Sequence, residues 1–162
     1  MKILAFESSC DETACAIVEN GRVVFSNVIA SQILTHQKTQ GVVPEVAARQ
    51  HVSKLLPVFN EALSQANLTM DDIDAIACSI EPGLVNCLLT GASMASTIGY
   101  IYNKPLIPVN HKLGHVLSCM LDNTDDFVYP TIVLSVSGGH NELYLMQSPT
   151  DIKMLGSTLD DA

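Results

Sequence analysis

Two histidines, His111 and His115, stand four residues apart in the stretch Val109-Asn110-His111-Lys112-Leu113-Gly114-His115. On a helix, positions i and i+4 share a face, so both imidazoles can address one metal ion. A short apolar run, Leu106 to Val109, precedes the pair, and a run of apolar and small residues, Val116 to Leu121, follows it. This predicts a strand-to-helix junction, the kind of place where open α/β sheets bind ligands. The same spacing also fits two polar residues on a solvated first turn. Two imidazoles make an incomplete catalytic metal site, which usually has three protein ligands and a water. The third ligand must come from elsewhere in this chain or from outside it.

The second candidate is Ser135-Val136-Ser137-Gly138-Gly139-His140. Glycines let a backbone approach a phosphate or acyl group closely, and exposed N–H groups bind its oxygens. Glycines are also commonplace in plain hairpin turns. A third candidate is Pro82-Gly83, at the start of a helix, as an anion site or a simple helix entry. The turn Ser8-Ser9-Cys10-Asp11-Glu12-Thr13 is rich in hydroxyls and carboxylates. It suits a phosphate, a metal-bound water or nothing but solvent. His36, His51 and His140 receive no role, with His51 expected at the surface or as a cap.

The elements that must position these groups follow from pattern. Ile3–Phe6, Ala14–Val18 and Val23–Ile29 read as strands, with Asn20-Gly21 as a two-residue hairpin turn. Residues 31–43 read as a loop or short helix. From Pro44, residues Val52, Leu55, Leu56, Phe59, Ala62, Leu63 and Ala66 form a helical stripe, with Pro57 expected to bend it. Ile73–Ile80 reads as a buried strand, and Leu84–Tyr102 as a helix of small residues suited to close packing. Leu106–Val109 is the next strand, followed by the His111 helix. This order, β-β-β-α-β-α-β-α, is that of the ribonuclease-H-like lobe of the actin and sugar-kinase class. Thr131–Val136, Glu142–Met146 and Ile152–Leu155 then repeat the opening meander. The expected division is a first lobe with the metal helix over residues 1–128 and an incomplete second lobe over 129–162, the whole being the N-terminal part of a longer protein.

Bulk properties narrow the function. With 162 residues, 48% hydrophobic and 15% charged, the chain can bury a core and is not disordered. No apolar run is long enough to span a membrane, and Glu7 interrupts the first one too early for a signal peptide. Five cysteines without a Cys-x-x-Cys pair suit reduced thiols and a cytoplasmic location. A net charge of −9 argues against unassisted nucleic-acid binding.

Taken together, Phe6–Thr13, Gly41-Val42-Val43-Pro44-Glu45-Val46-Ala47, Pro82-Gly83-Leu84, His111-x-x-x-His115 and Ser135–His140 resemble the TsaD family. These are tRNA adenosine threonylcarbamoyltransferases, formerly called glycoproteases or sialoglycoproteases. The resemblance runs from Lys2 to Ala162. It implies an actin-class fold with one metal between two lobes, held by His111, His115 and an aspartate beyond this chain, a ligand set of two imidazoles and a carboxylate that suits Fe(II) or Zn(II). It implies that Ser135, Val136, Ser137, Gly138 and Gly139 contact threonylcarbamoyl-adenylate, and that the acyl group passes to the exocyclic amine of the adenosine beside the tRNA anticodon. It also implies TsaB-like and TsaE-like partners. Glu81, Asn86-Cys87, Lys112-Leu113 and Ser157 depart from the family's usual residues. The rival readings are a metal-dependent glycoprotein endopeptidase and a non-catalytic dimerising partner similar to TsaB. The first needs His-Glu-x-x-His, and Lys112 stands where that glutamate would be.

Overall fold

The structure, a computed structural model, describes residues 1–37, 41–123, 127–137 and 141–159. It divides into two compact units, Met1–His111 and Lys112–Ala162.

The first unit is built on strands β1 (Lys2–Glu7), β2 (Glu12–Glu19), β3 (Val23–Ser31), β4 (Ala75–Glu81) and β5 (Leu106–Asn110). They form one sheet in the order β3-β2-β1-β4-β5. β1 pairs antiparallel with β2, and β2 with β3, whereas β4 runs parallel to both β1 and β5. This is the expected mixed five-stranded ribonuclease-H-like sheet. Asn20, Gly21 and Arg22 join β2 to β3, one residue more than the expected two-residue loop, with φ of 52° at Asn20 and 68° at Gly21. Both angles lie in the left-handed region that a type I′ hairpin turn needs.

Two long helices cover one face, α2 (Pro44–Ala66) and α3 (Val85–Ile101); a single turn, α1 (Ile33–His36), precedes them. Pro44 opens α2, where its missing N–H costs nothing, and Asn67 closes it in the left-handed conformation. The helix runs as one element through Pro57. Strand alternation sends Leu4 and Phe6 of β1, and Cys15 and Ile17 of β2, into a core with Leu55, Phe59, Ala62, Ala95 and Ile98. Phe6 and Phe59 stack with ring centroids 6.0 Å apart. Each such side chain contributes roughly 1.5–3 kcal/mol on burial. The apolar stripe of α2 is rotated from its expected course. Val52 and Leu56 are 69% and 54% exposed, while His51 and Val58 point into the protein. His51, expected at the surface, is fully buried.

The second unit contains most of α4 (His111–Ser118) and a meander of β6 (Thr131–Val136), β7 (Asn141–Ser148) and β8 (Asp151–Ser157). Its core is Val116, Tyr144 and Met146, with Leu117, Phe127, Val133 and Ile152 around them. Val116 of α4 thus belongs to the core of the second meander.

Candidate functional site

The parallel strands β1, β4 and β5 end along one edge of the first sheet, and their register decides what meets there. Phe6 lies beside Cys78 and Ser79 beside Val109, so the residues that follow are neighbours. Glu7 closes β1, and His111 begins α4 directly after β5. His111 Nδ1 lies 3.0 Å from Glu7 Oε2 and 3.2 Å from the Ser9 hydroxyl. The Ser9 backbone N–H donates to Glu7 Oε1 at 2.6 Å, and the Ser79 hydroxyl donates to Glu7 Oε2. Burial alone would push the Glu7 carboxyl up. The hydrogen bonds from His111, Ser79 and Ser9 outweigh it and hold the group at about 2. Glu7 is therefore a charged acceptor at neutral pH and a poor base.

The loop after β1 is pinned from three sides. The Ser8 hydroxyl donates to the Cys87 carbonyl at 3.0 Å, and Leu84 N–H donates to the Ser9 carbonyl at 2.8 Å. The glycines of the α3 side make this approach possible. A Cβ on Gly83 would lie 2.6 Å from the Ser9 carbonyl oxygen, and one on Gly91 would overlap the Ser8 hydroxyl. Pro82-Gly83 thus serves here as a packing turn against the Ser9 backbone. From α2, His51 bonds Thr13 Oγ1 through Nδ1 at 2.8 Å and the Cys10 carbonyl through Nε2 at 3.0 Å. Nε2 must donate to that carbonyl, so Nδ1 accepts from Thr13. Burial lowers the His51 pKa and favours this neutral ring.

Ser9, Cys10, Pro82, Gly83, Leu84 and His111 line a cleft of about 250 Å³. That is room for an ion or a small acyl fragment. Burial, followed by the adjacent Asp11, pushes the Cys10 thiol up to about 11, so it is not a thiolate nucleophile at neutral pH.

His115 lies one turn along α4 from His111 and is exposed. Among the described residues, no group of three or more His, Cys, Asp or Glu side chains is placed to hold a metal ion. Between the histidines, Lys112 pairs with Glu142, whose other oxygen accepts the Tyr144 hydroxyl at 2.6 Å. Ser135 and Val136 end β6, opposite Glu142 and Asn141, and Ser137 follows. Gly138, Gly139 and His140 lie outside the described residues. Glu81, a departure from the usual motif, accepts from Asn110 Nδ2 at 3.4 Å.

A family model for tRNA N6-adenosine threonylcarbamoyltransferase, TsaD, matches residues 23–162. The chain belongs to this family. The TsaD protein of Lacticaseibacillus casei (strain BL23) is 50% identical over 160 residues, 99% of this chain and 46% of that protein. The one from Onion yellows phytoplasma (strain OY-M) is 49% identical over 162 residues, 100% of this chain and 69% of that protein. The chain thus spans about half the length of the first of these relatives. Among solved structures, YeaZ from Pseudomonas aeruginosa superposes with a TM-score of 0.60 at 15% identity, covering 99% of this chain and 69% of that one. A type II variant of the Aquifex aeolicus Ppx/GppA phosphatase gives 0.50 at 8% identity, covering 96% and 52%. These likenesses concern the fold, which is of the actin class.

Sequence pattern singled out His111 and His115, and separately the hydroxyl-rich turn that holds Ser9, but did not pair them. Glu7 figured as the residue that breaks an apolar run and as part of the Phe6–Thr13 family motif, without a role of its own, and Ser79 disappeared inside the apolar strand Ile73–Ile80. A carboxylate at the C-terminal end of a central strand was the available signal. For His51, the signal was its place four residues before Leu55, on the buried face.

Proposed function

We propose that this chain carries the metal-binding part of an enzyme that moves a threonylcarbamoyl group from threonylcarbamoyl-adenylate to the exocyclic amine of the adenosine beside the tRNA anticodon. The observation that carries this reading is the Glu7–His111–Ser9–Ser79 cluster, with His115 one helical turn further on. In the transfer, the amine nitrogen forms a bond to the carbamoyl carbon. The bond from that carbon to the adenylate phosphate oxygen breaks, adenylate leaves with the electron pair, and the amine loses a proton. The acyl group arrives activated, so positioning and charge stabilisation matter more than a protein nucleophile. The high Cys10 pKa agrees with that.

The donor set fits a divalent metal, Fe(II) or Zn(II). His111 is anchored through Nδ1, and His115 offers a second imidazole from the same helix. When bound, the ion supplies Lewis acidity toward the carbonyl and its neighbouring oxygens. The third ligand is an acidic side chain outside the described residues. Ser9 lines the cleft beside His111 with a hydroxyl that a polar substrate atom can use. The turn Ser135–Gly139 binds the adenylate through backbone N–H groups and hydroxyls. The acidic chain needs TsaB-like and TsaE-like proteins, or further parts of the protein, to hold tRNA. The apolar groove lined by Val52, Leu55, Leu56, Leu89 and Met94 supports a helix-packed contact with a TsaB-like partner. The five free cysteines support a cytoplasmic location; among the described residues no helix is long and apolar enough to cross a membrane. The endopeptidase reading loses support because Lys112 occupies the required glutamate's place and is paired with Glu142.

The test is His115→Ala in the complete gene product, given preformed adenylate and tRNA. Stoichiometric metal and transfer should both be lost while the fold persists, because His115 is exposed. One metal per chain with normal turnover would sink the reading.

A further inference from the structure

We propose that Glu7 is a positioning residue for His111, holding the imidazole in its Nδ1–H form so that Nε2 is the nitrogen presented to the metal. The inference rests on the metal reading above and deepens it. Glu7 and His111 come from opposite ends of the first unit's sequence, and only the parallel register of β1, β4 and β5 brings them together. The two oxygens of Glu7 already receive hydrogens. The Ser9 N–H reaches Oε1 at 2.6 Å, and the Ser79 hydroxyl reaches Oε2. A carboxyl group so solvated acts as an acceptor, so the Nδ1 atom 3.0 Å from Oε2 faces it as an N–H donor. Ser9 Oγ, 3.2 Å from the same nitrogen, stands as a second acceptor. An imidazole protonated at Nδ1 carries its lone pair on Nε2, and that atom is then the ligand. A carboxylate behind a metal-binding histidine fixes ring orientation and raises ligand basicity. Here the carboxylate is itself fixed, by a backbone N–H and a hydroxyl from the adjoining strand.

Two measurements on the complete gene product test this. The first is 15N NMR of the metal-free wild-type protein, which reports the tautomer of His111 directly. An Nδ1–H ring is expected, and an Nε2–H ring overturns the proposal whether or not any variant folds. The second is Zn(II) affinity by chelator competition for Glu7→Gln, Glu7→Asp, His111→Ala and His115→Ala. Glu7→Gln should bind one Zn(II) about 10- to 100-fold more weakly, with Glu7→Asp in between. If both histidine variants lose Zn(II) but Glu7→Gln binds like wild type, this inference fails and the metal reading stands. If Glu7→Gln loses stoichiometric Zn(II) entirely, Glu7 is a ligand and the positioning role is wrong. If the histidine variants keep Zn(II) at full affinity, the metal reading fails and takes this inference with it.

Discussion

The two meanders of this molecule share a strand plan and differ in what covers them. In β1–β3, alternate residues turn inward onto α2 and α3, and Leu4, Cys15 and Ile17 are completely buried. In β6–β8, one face meets Val116 and its neighbours. On β6, Ile132, Leu134 and Val136 form the other row, and Leu134 is 63% exposed. Both meanders follow from strand patterning and turn chemistry, which act locally. Crossover helices come from distant sequence and convert such a sheet into a core. The Glu7–His111 cluster lies in the unit that has crossovers, because crossovers are what make its strands parallel and align their ends.

The sharpest way to break this comparison is in the first core. Phe59→Ala should cost about 3–5 kcal/mol, read as a lower urea midpoint, because it removes the ring stacked on Phe6. A loss below about 1 kcal/mol would mean that α2 is not what stabilises the first meander. Next comes the loop after β1. Gly91→Ala places a methyl group against the Ser8 hydroxyl and should cost about 1–3 kcal/mol by overpacking. It should weaken Zn(II) binding as well, since the displaced loop carries Ser9. Unchanged stability and affinity would show that the loop tolerates displacement.

Acid supplies a smaller effect with a definite sign. The Glu7 carboxyl sits at about 2 in the fold, against an ordinary 4.5. Its contribution is complete above pH 4.5 and is lost as pH falls toward 2, because the unfolded carboxylate takes up its proton first. Glu7→Gln should flatten the fall in stability across that window, measured by denaturant unfolding at stepped pH. An unchanged slope would show that Glu7 is not held ionised by its neighbours.

The smallest effect on stability is expected on the open face of β6. Leu134→Lys should change the unfolding midpoint within about 0.5 kcal/mol. It should still reduce self-association of the 162-residue chain in light scattering, since an edge strand with an exposed apolar row invites pairing. A wild-type chain that is a monodisperse monomer at high concentration would contradict this.

The elements were largely legible because their signals are local. Asn20-Gly21 announced a hairpin, Pro44 opened α2, and the small residues of α3 announced close approach. The course of α2's buried face was misread because Val52 and Leu56 look apolar in sequence, whereas His51 is buried through two specific hydrogen bonds. His111 and His115 stood out by spacing alone. Their surroundings did not, because the Glu7–His111 and Ser79–Glu7 bonds depend on parallel register between strands far apart in sequence. No periodicity in a single segment encodes that. The groups between Gly138 and His140 lie outside the described residues, so the expected adenylate turn stands on sequence and on family membership.

The contact between Gly91 and Ser8 also constrains how this protein can diverge. A side chain gained at position 91 meets the hydroxyl at position 8, so the first change is harmful on its own. The same methyl group is better tolerated once position 8 has lost its oxygen, although the bond to the Cys87 carbonyl goes with it. Substitutions at the two sites should therefore be non-additive by about 0.5–3 kcal/mol. The order in which they arise matters: a lineage that trims the loop first can later fill the helix, and one that fills the helix first is selected against before the loop can respond.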